Sequence, residues 1–323
     1  MHARRQETPV TTTHGDPSSA RLGPALQGPS LARGLSQIFF QRNTWTGLLI
    51  LAAFVVADWR MALLVAIGAV ASTVAGALLG ATDVRDGMQG FCGALVGAAV
   101  YVSLGGQGWA YLIALVGGVL CAPVTLAFVR LFGSRPLARF ALPATTAPFC
   151  LVAGVMHATT APLQVRSPAV HTTDGAVATF VRSLLTNVSE VVLVSSVWAG
   201  ALILLGLFVA SWKVGLAAVL GSVVGSLCAL ALGWSQADLG EGLAGYSGVL
   251  TAIALSVVFL RSSVASWLYA VLGTAITAVV TLALNDATDA PHYTWPYILT
   301  TWALLVVATA VPALRRPEPA GTA

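Results

Sequence analysis

Apolar residues run along this chain in long stretches, interrupted by short polar knots and never by the strict alternation of a half-buried strand. The stretches fall at 44–57, 61–82, 91–104, 108–129, 141–163, 191–210, 212–235, 243–260, 262–284 and 293–314. Each is long enough, or nearly so, for a helix to cross a hydrocarbon layer about 30 Å thick. Ten transmembrane helices are therefore expected, because lipid offers no partner to a free peptide group and the period-two pattern of a membrane barrel is absent.

The polar knots recur. "DGMQGFCGALVGAAV", Asp86 to Val100, is answered by "EGLAGYSGVLTAIAL", Glu241 to Leu255, with Tyr246 standing 155 positions after Phe91. "TWTGLLILAAFVVADWRMALL" from Thr44 matches "VWAGALILLGLFVASWKVGLA" from Val197 at an offset of 153, pairing Trp45 with Trp198, Gly47 with Gly200, Trp59 with Trp212 and Arg60 with Lys213. The chain thus divides into a tail (1–29) expected to be disordered, a first membrane repeat (30–163), a polar loop (164–180), a second repeat (181–314) and a C-terminal tail (315–323). Five spans per half is an odd number, so the second half is expected to enter the membrane upside down. In inverted repeats the substrate path runs through the repeat interface, often between broken helices.

Two further pairs suggest where such a path lies. Upstream of the first span in each half are "GLSQIFFQRN", Gly34 to Asn43, and "NVSEVVLVSS", Asn187 to Ser196, too short and polar to cross. As re-entrant half-helices they would end inside the protein and leave a row of carbonyls without intrahelical partners, joined by Gln37 and its match Glu190 as side-chain acceptors. The same segments also fit amphipathic helices lying on the membrane surface. "LPATTAPF" from Leu142 and "APHYTWPY" from Ala290 then share a Pro-x-x-Thr-x-Pro helix start, aligning Pro143, Thr146 and Pro148 with Pro291, Thr294 and Pro296. Either the threonine hydroxyls face a path or each bonds back to its own helix.

Composition bounds the chemistry. Of 323 residues 57% are hydrophobic and 9% charged, against about 25% charged in soluble domains, with a mean hydropathy of +0.85. The net charge of +4 comes from arginines at span ends and in the terminal segments, which favours cytoplasmic termini of a multi-pass protein in a bacterial inner membrane and not a nucleic-acid partner. Cys92, Cys121, Cys150 and Cys228 lie in apolar spans without ligand spacing, so neither metal nor other cofactor is expected. No GxxxxGK[ST] loop and no series of buried carboxylates for proton coupling is present, and Asp86 and Glu241 fit helix starts.

"LSQIFF", "GFCGALVG", "LPATTAPF", "GYSGVLTAIAL" and the duplicated "TGLLILAAFVV…W" together resemble the urea transporter family over roughly residues 30 to 314. The chain departs from the family pattern where Cys92 and Ser247 replace an amide and where His292 and Tyr293 replace a Leu-containing run. The resemblance implies a homotrimer, not an enzyme, with one urea pore per subunit, formed by the inverted repeat of five spans plus a pore half-helix. It implies a pore lined by Gln37, Ile38, Phe40, Phe91 and Leu95 on one side, by Glu190, Val191, Leu193, Tyr246 and Leu250 on the other, and by Thr146 and Thr294 between them. For Phe91 and Tyr246 the plainer alternative is ordinary buried packing. The expected function is passive diffusion of urea; a proton-coupled carrier, or a channel for ammonia or water, is the alternative.

Overall fold

The computed structural model describes residues 23, 26–81, 86–165 and 175–317. Most of the tail 1–29, residues 166–174 of the polar loop and the end of the C-terminal tail lie outside the described residues. Among the described residues the regular secondary structure is all helical, with no strand. The first half contains α1 (Gly28–Ser36), a 3-10 turn (Gln37–Phe39), α2 (Thr44–Ala57), α3 (Trp59–Leu78), α4 (Phe91–Leu104), α5 (Gly108–Phe132), the short α6 (Arg135–Ala138) and α7 (Ala147–Thr159). The second contains α8 (Ala176–Glu190), α9 (Val197–Ala210), α10 (Trp212–Ala231), the short α11 (Gln236–Glu241), α12 (Tyr246–Ile253) continued by a π segment (Ala254–Val258), α13 (Val264–Ala287) and α14 (Trp295–Ala308).

Each apolar run of the sequence contains a helix. Four of these helices, α3, α5, α10 and α13, are long and apolar enough to cross a membrane, and a fifth span results if α1 and α2, bent by 79°, are taken as one. The remaining apolar helices have 13 or 14 residues, about 20 Å of rise. The polar loop ends earlier than the sequence suggested, since α8 starts at Ala176. Apart from the buried Thr179 its first two turns are exposed or half-buried, and the apolar Val177, Phe180 and Val181 are interrupted by Thr179 and Arg182 before a run of span length can form.

Glycine places the halves' equivalent contacts. In α2, a Cβ on Gly47 would sit 1.8 Å from the Ala32 carbonyl oxygen of α1; in α9, one on Gly200 would sit 2.1 Å from that of Leu185 in α8. Both helices thus lie directly on the backbone of the segment before them, a close approach that only a missing side chain permits. All four positions obey the 153 offset. Buried packing follows the same plan: α4 lies on α3 as α12 lies on α10, while α2 and α9 cross each other, joined by Thr46 Oγ1 donating to the Gly206 carbonyl at 2.7 Å. Trp45, Trp59, Trp198 and Trp212, at the starts of α2, α3, α9 and α10, are exposed, as interfacial tryptophans are.

Candidate functional site

Where α1 and α8 end, the chain turns the same way twice. Phe40 and Leu193 adopt left-handed backbone conformations (φ 62° and 64°), which stops helix growth. Ser36 Oγ donates to the Gln41 carbonyl and accepts from the Asn43 N–H; its repeat partner Ser189 donates to the Ser196 carbonyl and accepts from the Ser196 N–H. The next helix is then capped by Asn43, accepting from Thr46 N, or by Ser196, accepting from Ala199 N. These turns engage part of the expected row of free carbonyls. The Ser36, Gln37 and Phe39 carbonyls already accept bonds from Gln41 N, Phe40 N and Gln41 Nε2, and Ser189 and Glu190 are likewise engaged by Val192, Val194 and Leu193. The carbonyls that accept a single bond retain a second lone pair.

Ile38, Phe91, Leu95, Val191, Tyr246 and Leu250 belong to one buried cluster, with Phe40 and Leu193 packed against it. Gln37 and Glu190 keep 7% and 8% of their surface. Phe91 and Tyr246 open α4 and α12, and the Phe40 ring stands 5.4 Å from Phe259 and 6.1 Å from Tyr297. Tyr246 carries a hydroxyl where Phe91 has none, and it donates to the Tyr293 carbonyl. Tyr293 is in a left-handed conformation (φ 45°), as is its counterpart Thr145 (φ 51°). Tyr293 is the residue that sequence reasoning did not place in the site; its signal was the repeat register, one position before Thr294.

Thr146 and Thr294 occupy the N-cap positions of α7 and α14, bury all but 1–2% of their surface, and make no capping bond. Pro148 and Pro296, in the first turn of each helix, remove one N–H that would otherwise need a partner. The two hydroxyls meet each other instead, 2.6 Å apart, and Cys150 Sγ stands 3.1 Å from Thr294 Oγ1. Neither hydroxyl bonds back to its own helix among the described hydrogen bonds, so that alternative does not hold.

The two ends of the site differ in charge. Gln37 Nε2 donates to the Asp86 carbonyl, and the Asp86 carboxylate pairs with Arg42 at 3.0 Å. Asp86 therefore does not cap α4, which begins five residues later, and Glu241 is the last residue of α11. Neither acid sits at a helix start, because glycines and turns intervene. Glu190 instead faces a cavity of about 590 Å³ that Leu193, Tyr246 and Tyr293 also line. Among the described residues no group of three or more His, Cys, Asp or Glu side chains is placed to hold a metal ion.

The chain matches the family described as Urea transporter (UT) over residues 29–309. It is similar to Urea transporter 1 of Rattus norvegicus, with 28% identity over 300 residues, covering 88% of this chain and 78% of that one. Against Urea transporter 1 of Ovis aries the identity is 26% over 298 residues, covering 87% and 77%. With a match that runs from α1 to the end of α14, the chain belongs to the urea transporter family, a family of transport proteins and not of enzymes.

Proposed function

We propose that this protein lets urea diffuse passively across the membrane through a narrow path between its two halves, and that these halves are inverted repeats of five spans, α1 and α8 being the re-entrant half-helices. The observation that carries this reading is the buried pair Thr146–Thr294. Two repeat-equivalent hydroxyls meet there with no helix to serve, and in this reading Phe91 and Leu95 of one half and Tyr246 and Leu250 of the other wall the path on either side of them.

Urea is planar, neutral and rich in N–H donors. Stripping an amide of water without replacement costs roughly 4–8 kcal/mol in an apolar medium, so an uncompensated apolar slot rejects it. Here Gln37 and Glu190 at the two ends, the spare lone pairs of the half-helix carbonyls, and the threonine oxygens replace the water, while the aromatic rings cover the molecule's faces. Urea must part the threonine pair to pass. A net hydrogen bond is worth about 0.5–1.5 kcal/mol, a small gate for a solute that replaces the lost bond with its own. An ion meets no compensating charge at that point.

The family resemblance supports a homotrimer with one path per subunit, held in lipid by its apolar outer faces, and the basic residues of the terminal segments support cytoplasmic termini, in a bacterial inner membrane. Stopped-flow light scattering on proteoliposomes tests the transport: a urea permeability far above that of protein-free vesicles and unchanged by a proton gradient is expected. One observation favours a second reading, that of a proton-coupled carrier: the Glu190 side chain receives no hydrogen bond among the described residues. Urea uptake that accelerates under an imposed pH gradient would select it.

A further inference from the structure

The cavity beside Glu190 is more than a funnel for a neutral solute. Its lining joins the carboxylates of Glu190, Asp238 and Asp289 to the rings of Trp234, Tyr246 and Tyr293, and no described lining residue is Lys or Arg. Arg182 acts on Glu241 and does not line the cavity. The other titratable groups of the lining are His157 and His292; His292 Nε2 is engaged by Asn285 Oδ1, and His157 Nδ1 lies 3.2 Å from Gln164 Nε2 and 3.4 Å from Ser103 Oγ. Glu190 is 92% buried by its remaining exposure of 8%, yet among the described residues nothing donates to its carboxylate. At the opposite end the equivalent residue is the amide Gln37, and the nearby Asp86 is neutralised by Arg42. The two mouths therefore offer different chemistry: at one the nearby carboxylate is paired with an arginine, and at the other three carboxylates line the cavity with no lysine or arginine among the described lining residues.

We infer that the Glu190 mouth binds guanidinium-type cations, which seat there and obstruct urea without passing through. This inference rests on reading the site as a urea path. Guanidinium has the planar trigonal shape of urea, with a positive charge and N–H donors along every edge. A carboxylate takes two of those donors side by side, and the delocalised cation stacks on aromatic faces. Ammonium and sodium are compact and strongly hydrated and offer no such face. Farther in, the Thr146–Thr294 pair supplies only neutral oxygens, so the cation stops where its charge loses its partner.

The test uses the full-length protein. Calorimetric titration with guanidinium chloride, at ionic strength matched with sodium chloride, should show binding that urea displaces. In proteoliposomes, millimolar guanidinium should slow urea flux while labelled guanidinium itself stays out. Glu190→Gln should weaken both binding and inhibition by at least about tenfold, the equivalent of 1.4 kcal/mol, and Asp289→Asn, farther out in the lining, should weaken them by a smaller factor. Undiminished urea flux in the presence of guanidinium, equal inhibition by sodium, unaltered binding in both variants, or uptake of guanidinium would each overturn the inference. If guanidinium binds in a Glu190-dependent way but the vesicles show no urea flux, the cation site stands and the urea path falls.

Discussion

A threonine inside a membrane helix has an acceptor at hand in the carbonyl one turn back, and Thr73, Thr125, Thr274 and Thr277 all use it. Thr146 and Thr294 stand at helix starts, where no preceding turn exists, and they face each other. If both oxygens replace water around urea, Thr146→Val or Thr294→Val removes one acceptor while keeping the side chain's volume. Each single change should slow urea about three- to tenfold, from a net bond of about 0.5–1.5 kcal/mol placed in the barrier, and the double change should slow it further. Near-normal flux in properly assembled single variants would remove the pair from the path. The walls give a steric counterpart. Leu95 and Leu250 are fully buried one turn after Phe91 and Tyr246, so Leu95→Trp or Leu250→Trp should abolish flux in protein that still elutes as a single symmetrical species; retained flux would show that neither leucine borders the route.

At the scale of elements, α2 and α9 rest on the backbone of α1 and α8 through Gly47 and Gly200. A methyl group there meets a carbonyl oxygen that belongs to a helix, not a side chain that can swing away. Overpacking of this kind typically costs about 1–3 kcal/mol. Gly47→Ala and Gly200→Ala should each lower the thermal unfolding midpoint in detergent by several degrees, whereas Gly154→Ala, where the added atom meets nothing within 4 Å, should not. Equal midpoints in all three would contradict the close approach. These glycines were legible in the sequence because duplication marked them, as were the helical runs themselves. The extent of α8 was not: between Ala176 and Arg182 the apolar Val177, Phe180 and Val181 are broken by Thr179 and Arg182, so no apolar run of span length announced it. The Asp86 and Glu241 assignments failed for a related reason, since a charge near a glycine knot reads as a cap whether it pairs across a loop with Arg42 or closes a short helix. Half the wall chemistry was likewise hidden, because the left-handed turn at Tyr293 that offers its carbonyl to Tyr246 depends on backbone geometry and not on residue type.

For the whole molecule, the proposed inverted arrangement makes a demand that no local contact can meet. Arg60 and Lys213 are repeat equivalents, each following an exposed tryptophan at the start of α3 or α10, with the cation over that ring at 5.3 and 5.8 Å. Side chains so placed mark a membrane surface, where an aromatic body and a charged tip both find their medium. Five crossings separate the two positions if α3, α4, α5, α7 and α9 each span once and α8 enters and returns on one side. An odd number puts Arg60 and Lys213 on opposite faces; a parallel duplication would put them on the same one. The native thiols interfere little, since Cys92, Cys121 and Cys150 are buried and Cys228, only partly so, can be replaced by serine. In that background, Arg60→Cys and Lys213→Cys should respond oppositely to a membrane-impermeant maleimide applied to intact cells: one labels at once, and the other labels only after permeabilisation. Labelling of both, or of neither, before permeabilisation would rule out the inverted repeat and with it a path formed where two oppositely oriented halves meet.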